Sequence, residues 1–313
     1  MKASRVFVAG HKGLVGSALV RQLRARSYDS LIVRTRAELD LSDQRAVDTF
    51  FRTEHPEVVF LAAAKVGGIH ANNTSRWEFL YENLAIQNNV LGACLEYEVP
   101  KVVFFGSSCI YPRDAAQPIR EEYLLTGPLE QTNEPYAIAK IAGLKLVEAA
   151  NSQYGRDWLS LMPTNLYGIG DNFDLSSSHV VPAMIRKFHE AKQNRVPIKL
   201  WGSGRPQREF LYVDDMAAAA CDLMESNRTG LYNVGSGEEL SIKELAQKIA
   251  LVVGYEGQVE WDASKPDGTP RKLLDSTKVR ETGWSPRIRL AEGLRSTYEW
   301  YLASSSLRYA TAS

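Results

Sequence analysis

The sequence predicts an α/β fold: a doubly wound parallel sheet followed by a smaller C-terminal α/β region. Three observations carry that expectation. Short apolar runs alternate with helix-length segments through the first half of the chain, the order that builds a parallel sheet with helices on both faces. The runs show little polar alternation, which suits strands covered on both sides. A glycine-rich turn, Gly10-His11-Lys12-Gly13-Leu14-Val15-Gly16, joins the first run to the first helix.

Arg5-Val6-Phe7-Val8-Ala9 reads as the first strand, with a helix from about Leu14. Ser30-Leu31-Ile32-Val33 precedes a helix from about Ser42. Val58-Val59-Phe60-Leu61 precedes a long helix that ends before Pro100. Lys101-Val102-Val103-Phe104-Phe105 and Trp158-Leu159-Ser160-Leu161 continue the series, with a helix opening at Asn133-Glu134-Pro135-Tyr136 between them. The second half is less regular. Residues 168–178 are rich in Gly, Asp and Ser and read as a loop. A helix follows around 181–191, then strands near Ile198-Lys199-Leu200 and Glu209-Phe210-Leu211-Tyr212, with Asp214 and Asp215 opening a helix. Ser241 and Glu244 form a capping-box pattern ahead of the apolar run 245–253. Residues 265–272 read as a loop, and a last helix spans roughly Leu290 to Leu302, leaving a small polar tail over 304–313 with doubtful order. The expected division is a dinucleotide-binding domain over 1–165 and a substrate-binding region over 166–313, with 209–224 returning to the first.

Composition narrows the function. The 313 residues are 44% apolar and 24% charged, which is ordinary for a soluble globular chain. Lysine plus arginine equals aspartate plus glutamate, so the net charge is zero. That balance argues against a nucleic-acid or membrane-surface partner. Cys94, Cys109 and Cys221 are too few and too scattered for a disulfide framework or a zinc site. No apolar run approaches the ~18 residues that span a bilayer. The first strand begins by Val6, leaving no room for a secretory signal, and the expected location is cytoplasmic.

The glycine turn lets the backbone approach a pyrophosphate, and the helix that follows presents unpaired N–H groups to it. Its spacing, G-x-x-G-x-x-G, departs from the G-x-G-x-x-G fingerprint. The second strand runs into Arg34-Thr35-Arg36. Arginine there accommodates a 2′-phosphate, so the reading is NADPH, with Lys12 reaching the same phosphate and Asp40-Leu41 near the adenine. Tyr136 and Lys140 lie one helical turn apart and share a face. A free phenol has a pKa of about 10, and a fixed cation nearby draws it toward working range. The fourth strand ends at Phe105, and Gly106-Ser107-Ser108-Cys109 follows it, where open α/β sheets place ligands. Ser107 there can hydrogen-bond a carbonyl oxygen held by Tyr136.

With the glycine turn, Ser107, Tyr136 and Lys140 resemble the extended short-chain dehydrogenase/reductase superfamily. Further segments sharpen the likeness: Ala62-Ala63-Ala64-Lys65-Val66-Gly67-Gly68, Gly106-Ser107-Ser108-Cys109-Ile110-Tyr111-Pro112, Asn133-Glu134-Pro135-Tyr136, Pro163-Thr164-Asn165-Leu166-Tyr167-Gly168 and Lys265-Pro266-Asp267-Gly268-Thr269-Pro270-Arg271. These resemble the GDP-L-fucose synthase family, the 3,5-epimerase/4-reductases of GDP-4-keto-6-deoxy-D-mannose. The resemblance covers nearly the whole chain and implies a GDP-sugar substrate and a homodimer.

The resemblance also implies roles. Cys109 and His179 fall at the family's acid/base positions, without dividing the two roles. Ala62, Ala63, Ala64, Pro163, Thr164, Asn165, Leu166 and His179 fall at cofactor positions. Lys187, Trp201, Arg208 and Asp267 fall at substrate positions. The chemistry is consistent on its own terms: a C4 ketone acidifies the C–H bonds at C3 and C5, and inversion needs a base on one face and an acid on the other. A thiolate near a lysine and an imidazole both suit proton transfer. The alternatives weighed are another nucleotide-sugar epimerase, reductase or dehydratase on the same fold, and a non-enzymatic NADP-binding sensor. A dehydratase places an acidic pair after the catalytic serine, where this chain has Ser108-Cys109. A sensor has no need of the retained Tyr136, Lys140 and Ser107.

Overall fold

A computed structural model describes residues 2–265 and 267–310. The first half alternates as expected: β1 (Val6–Ala9), α1 (Leu14–Ala25), β2 (Leu31–Ile32), α2 (Gln44–Glu54), β3 (Val58–Leu61), α3 (Ile69–Thr74), α4 (Arg76–Glu96), β4 (Lys101–Phe105), α5 (Glu134–Tyr154) and β5 (Leu159–Pro163). Helix α2 starts two residues later than expected because Asp43 is its cap, accepting from the Arg45 and Ala46 amides. The second half adds β6 (Asn165–Tyr167), α6 (Val180–Asn194), β7 (Ile198–Trp201), β8 (Gln207–Tyr212), α7 (Val213–Glu225), β9 (Gly230–Val234), β10 (Glu239–Ser241), α8 (Ile242–Val253), β11 (Val259–Asp262), β12 (Arg271–Lys272), α9 (Thr277–Arg280) and α10 (Leu290–Ala310).

Six strands form one sheet in the order β2-β1-β3-β4-β5-β9, and every pair is parallel. Both faces are covered, so successive residues of one strand enter different cores. Phe7, Val59 and Phe104 pack with Phe51 of α2, Val90 of α4 and Leu144 of α5. Val6, Val8, Phe60 and Val103 pack with Leu19 of α1 and Met216 and Ala220 of α7.

The sixth strand was not apparent from the sequence. Gly230-Leu231-Tyr232-Asn233-Val234 holds a glycine and an asparagine, both poor strand formers in isolation. It is held by its place beside β5. Within 209–224, α7 packs against α1, whereas β8 lies in a second sheet, flanked by β10 and β12 and also paired with β6. Strands β7 and β11 pair separately, and α6, α8 and α10 close a third apolar core around them. The capping box at Ser241 and Glu244 is present. Strand β12 lies inside the segment expected to be a loop, and α10 runs past the expected stop to Ala310. The rest of the expected tail, 311–313, lies outside the described residues.

Candidate active site

The cofactor side begins where β1 turns. Gly10 has φ +86°, and a Cβ on it would stand 2.8 Å from the Ala63 backbone. A Cβ on Gly16 would stand 2.1 Å from the Gly10 carbonyl. The turn, the exit of β3 and the start of α1 therefore close together only because both side chains are hydrogen. The strand order reverses between β1 and β3, the place where doubly wound sheets bind dinucleotides. Helix α1 has Gly13 as its N-cap, no side-chain cap and no acid in its first turn. The amides of Leu14, Val15 and Gly16 are thus available to an anion. The Nδ1 atom of His11 is buried without a partner beside them. This cradle fits a dinucleotide pyrophosphate.

The cations at the end of β2 divide. Arg34 is paired with Glu54 at 2.5 Å and lies over the Phe50 ring. Arg36 is 75% exposed, 3.6 Å from Asp40 and 3.9 Å from Glu82. Lys12 is exposed and is felt by the Glu38 carboxylate along with Arg34. Arg36 and Lys12 are therefore the groups left for a phosphate. Asp40 accepts from the Ser42 amide and hydroxyl, which hold its carboxyl below the usual range. Leu41 packs against the sheet core.

The second part of the site grows from the end of β4. A Cβ on Gly106 would meet the Met162 side chain at 2.2 Å, so glycine lets the exit of β4 ride over β5. Ser107 then caps a short 3-10 helix, Ser108–Ile110, accepting from the Cys109 amide at 3.2 Å. Pro135 opens α5, and Tyr136 and Lys140 follow on it. Lys140 is only 4% exposed, and its Nζ donates to the Phe105 carbonyl at 2.9 Å. Burial brings its pKa down to about 8.

The expected tuning of Tyr136 by Lys140 is not what the structure shows. Burial and the neighbouring Cys109 push the phenol well up, and only a hydrogen bond with Ser107 opposes them. The Lys140 ammonium is held by a carbonyl and stands 5.9 Å from the phenol ring centre. Tyr136 is a neutral phenol at neutral pH, the form a proton donor needs.

Cys109 is partly exposed, and Lys272 donates to its Sγ at 3.4 Å. Arg208 is lowered by burial and pulled back by Cys109 and Asp267. His179 is the N-cap residue of α6 and makes no capping bond with its side chain. The loop before it docks through the Gly68 amide, which donates to the Ser177 carbonyl at 3.0 Å. A Cβ on Gly68 would stand 2.7 Å from the Ser178 carbonyl, so this approach also depends on glycine. Burial by the surrounding protein disfavours the imidazolium, although the residue as a whole is exposed.

Ser107, Cys109, Tyr136, Lys140 and Arg208 thus share one neighbourhood. Lys187, Trp201 and Asp267 form a second group at the rim. Trp201 is 59% exposed, with the Nζ atoms of Lys187 and Lys265 each 5.5 Å from its ring centre. Asp267 accepts from the Ser203 amide at 2.6 Å and the Ser203 hydroxyl at 2.7 Å, so both carboxylate oxygens hold the turn after β7. Thr164 and Asn165 donate to the Glu209 carbonyl, and Leu166 packs in the core, so these three side chains serve the junction of β5, β6 and β8.

Lys272 and Glu209 were missed from sequence. The motif around Asp267 stops one residue short of Lys272, and a glutamate inside an apolar strand gives no signal of its own. The fully buried Glu209 carboxylate receives the Gly237 and Leu274 amides. His55 ends α2 and His189 bonds Tyr298, neither near the site; the His70 side chain lies outside the described residues.

The chain matches the NAD dependent epimerase/dehydratase family over residues 6–235. It is 56% identical to the GDP-L-fucose synthase of Escherichia coli K12, over 96% of this chain and 98% of that one. Among solved structures, a GDP-6-OMe-4-keto-L-xylo-heptose reductase from C. jejuni superposes with a TM-score of 0.91 at 37% identity, covering 97% of this chain and 99% of the other. A GDP-L-fucose synthetase from Naegleria fowleri bound to NADP superposes at 0.88 with 28% identity, covering 96% and 94%.

Proposed function

We propose that this chain, which belongs to the NAD dependent epimerase/dehydratase family, converts GDP-4-keto-6-deoxy-D-mannose to GDP-L-fucose by NADPH-dependent 3,5-epimerisation and 4-reduction. The observation that carries the reading is the meeting of two chemistries at the end of β4: a thiol for proton transfer, Cys109, and the set Ser107, Tyr136 and Lys140 for carbonyl reduction. The 56% identity to a GDP-L-fucose synthase supports the same reaction.

Residues 1–165 hold the cofactor, with its pyrophosphate on the Gly10–Gly16 turn and Arg36 and Lys12 toward the 2′-phosphate. Residues 166–313 cover the substrate. Cys109 and His179 work on the C3 and C5 protons, which the C4 ketone acidifies. Bound NADPH supplies the hydride that reaches C4. Tyr136, oriented by Ser107, gives its proton to the C4 oxygen as negative charge develops there. Lys140 holds the nicotinamide ribose. Arg208, between Cys109 and Asp267, and Lys187, beside Trp201, are placed to meet the diphosphate. Asp267 contributes chiefly by pinning its loop to Ser203.

The test is product identification by NMR after incubation with GDP-4-keto-6-deoxymannose and NADPH, with NADH in parallel. GDP-L-fucose, formed faster with NADPH, is expected. An unchanged sugar, or equal use of NADH, contradicts the reading or its cofactor choice.

The Lys140 ammonium also predicts a pH profile. Its pKa is lowered from 10.5 to about 8, so the cation persists below that point and is lost above it. The kcat/KM for NADPH oxidation, which reports ionisations of the free reactants, should fall as pH rises through about 8. A rate that stays level well beyond that point speaks against a required cation.

The chain pairs as a homodimer in this reading. Trp77 and Tyr81 stack at 5.6 Å on the outer face of α4, and Ile138 and Leu146 stand exposed on α5. Apolar groups at these sites suit burial against a second copy. The three cysteines are unpaired, which suits the reducing cytoplasm. Among the described residues, no helix is long and apolar enough to cross a membrane.

A further inference from the structure

The geometry points to Lys272 as a positioning residue for Cys109: we infer that its ammonium, by donating to Sγ, holds the sulfur in place for proton transfer and raises its reactivity. The inference rests on the reading of Cys109 as an acid/base group. Lys272 donates to Sγ at 3.4 Å, within reach for a hydrogen bond to sulfur. Among the described residues no carboxylate forms an ion pair with Lys272, so its charge is not already neutralised there.

The fold fixes this contact from several sides. Strand β12 runs parallel to β8, with Arg271 opposite Gln207 and Lys272 opposite Arg208. Successive residues of a strand point to opposite faces. Arg271 turns outward and grips Glu239 of β10 with two nitrogens. Lys272 therefore turns to the other face, toward the end of β4. The strand cannot slide, because the next residues are tied on both sides. The Ile119 amide donates to the Leu273 carbonyl at 2.8 Å, and the Leu274 amide donates to the buried Glu209 carboxylate at 3.1 Å. The Leu273 amide also donates to the Gln117 side chain at 2.8 Å.

The other groups around Cys109 do not substitute for Lys272. Tyr136 faces it from α5 as a neutral phenol. Arg208 faces it from β8 but is shared with Asp267. Arg113 and Glu130 line the small cavity beside the sulfur, and the Arg271 guanidinium is committed to Glu239. A cation in direct contact with a thiol favours the thiolate, which is both the proton acceptor and the nucleophile toward alkylating reagents.

Alkylation of the intact protein by iodoacetamide across the thiol titration range tests the pairing without any substrate. Cys94 and Cys221 are buried, so the native protein reports Cys109, and Cys109→Ala gives the baseline. Lys272→Met should slow alkylation near neutrality by on the order of tenfold. Lys272→Arg should restore much of the rate. Thermal melts confirm that each variant is folded. A Lys272→Met profile superimposable on the wild type overturns the inference, as does a folded Lys272→Arg variant no faster than Lys272→Met. Solvent deuterium wash-in at C3 and C5 with the wild type, measured separately, reports whether the protein epimerises at all. Its absence overturns the functional reading and leaves the alkylation result to stand alone.

Discussion

Tyr136→Phe is expected to lower the rate of NADPH oxidation by roughly 10²–10⁴-fold, the range for loss of a positioned general acid. The substitution removes one oxygen and little else. The ring keeps its edge-on contact with Phe79, at 6.3 Å between centres. Lys140 keeps its bond to the Phe105 carbonyl, so the group assigned to the nicotinamide ribose does not move. NADPH should bind with nearly unchanged affinity, measurable by its fluorescence.

The chemistry explains the size of the effect. In the proposed mechanism, hydride arriving at C4 turns the carbonyl oxygen into an alkoxide, and the neutral phenol of Tyr136 is the proton source assigned to it. Ser107 can still hydrogen-bond that oxygen but has no acidity to match. In the proposed mechanism epimerisation does not pass through Tyr136, so deuterium wash-in at C3 and C5 should continue. The variant would accumulate an exchanged, unreduced ketone, visible by NMR. Near-normal turnover would remove Tyr136 from its assigned role.

How much of this was legible beforehand depends on whether the signal is local. The large sheet was readable because each of its first five strands is a short apolar run and helix-length segments separate them, and burial on both faces leaves no ambiguity about which residues are inside. Strand β9 was not, since Gly230 and Asn233 weaken its propensity and pairing with β5 supplies what the local sequence lacks. The glycine turn was readable because only glycine permits the approach of Gly10 to Ala63 and of Gly16 to Gly10.

The site divides in the same way. Tyr136 and Lys140 are four residues apart on one helix, so their shared face follows from sequence spacing. The sign of the electrostatic effect on Tyr136 does not, because it depends on what else Lys140 touches and how deeply both are buried. Lys272 lies 163 positions from Cys109. Nothing local connects them, and only the register of β12 against β8 does. Asp267 shows the same limit: its Pro-Asp-Gly context announces a turn, but the partner on Ser203 comes from another strand's end.

Cys109→Ala should separate the two chemistries more sharply than any other single change. The contact between the Cys109 amide and Ser107 Oγ is made by the backbone, so it survives removal of sulfur. Ser107, Tyr136 and Lys140 then remain a competent reducing set. What disappears is the thiol, and with it the hydrogen-bond partner of Lys272. Exchange of the C3 and C5 protons with deuterated solvent, measured with NADP⁺ in place of NADPH, should fall by about 10²–10⁴-fold. With NADPH present, the ketone should still be reduced, and NMR should find a 6-deoxy sugar that retains the substrate's configuration at C3 and C5. That product distinguishes loss of an acid/base group from collapse of the site, because a collapsed site makes neither sugar. Undiminished deuterium uptake at both carbons would exclude Cys109 from epimerisation. Such a result would leave the thiol with only its contact to Lys272 and return the proton transfers to His179 and a second, unidentified group.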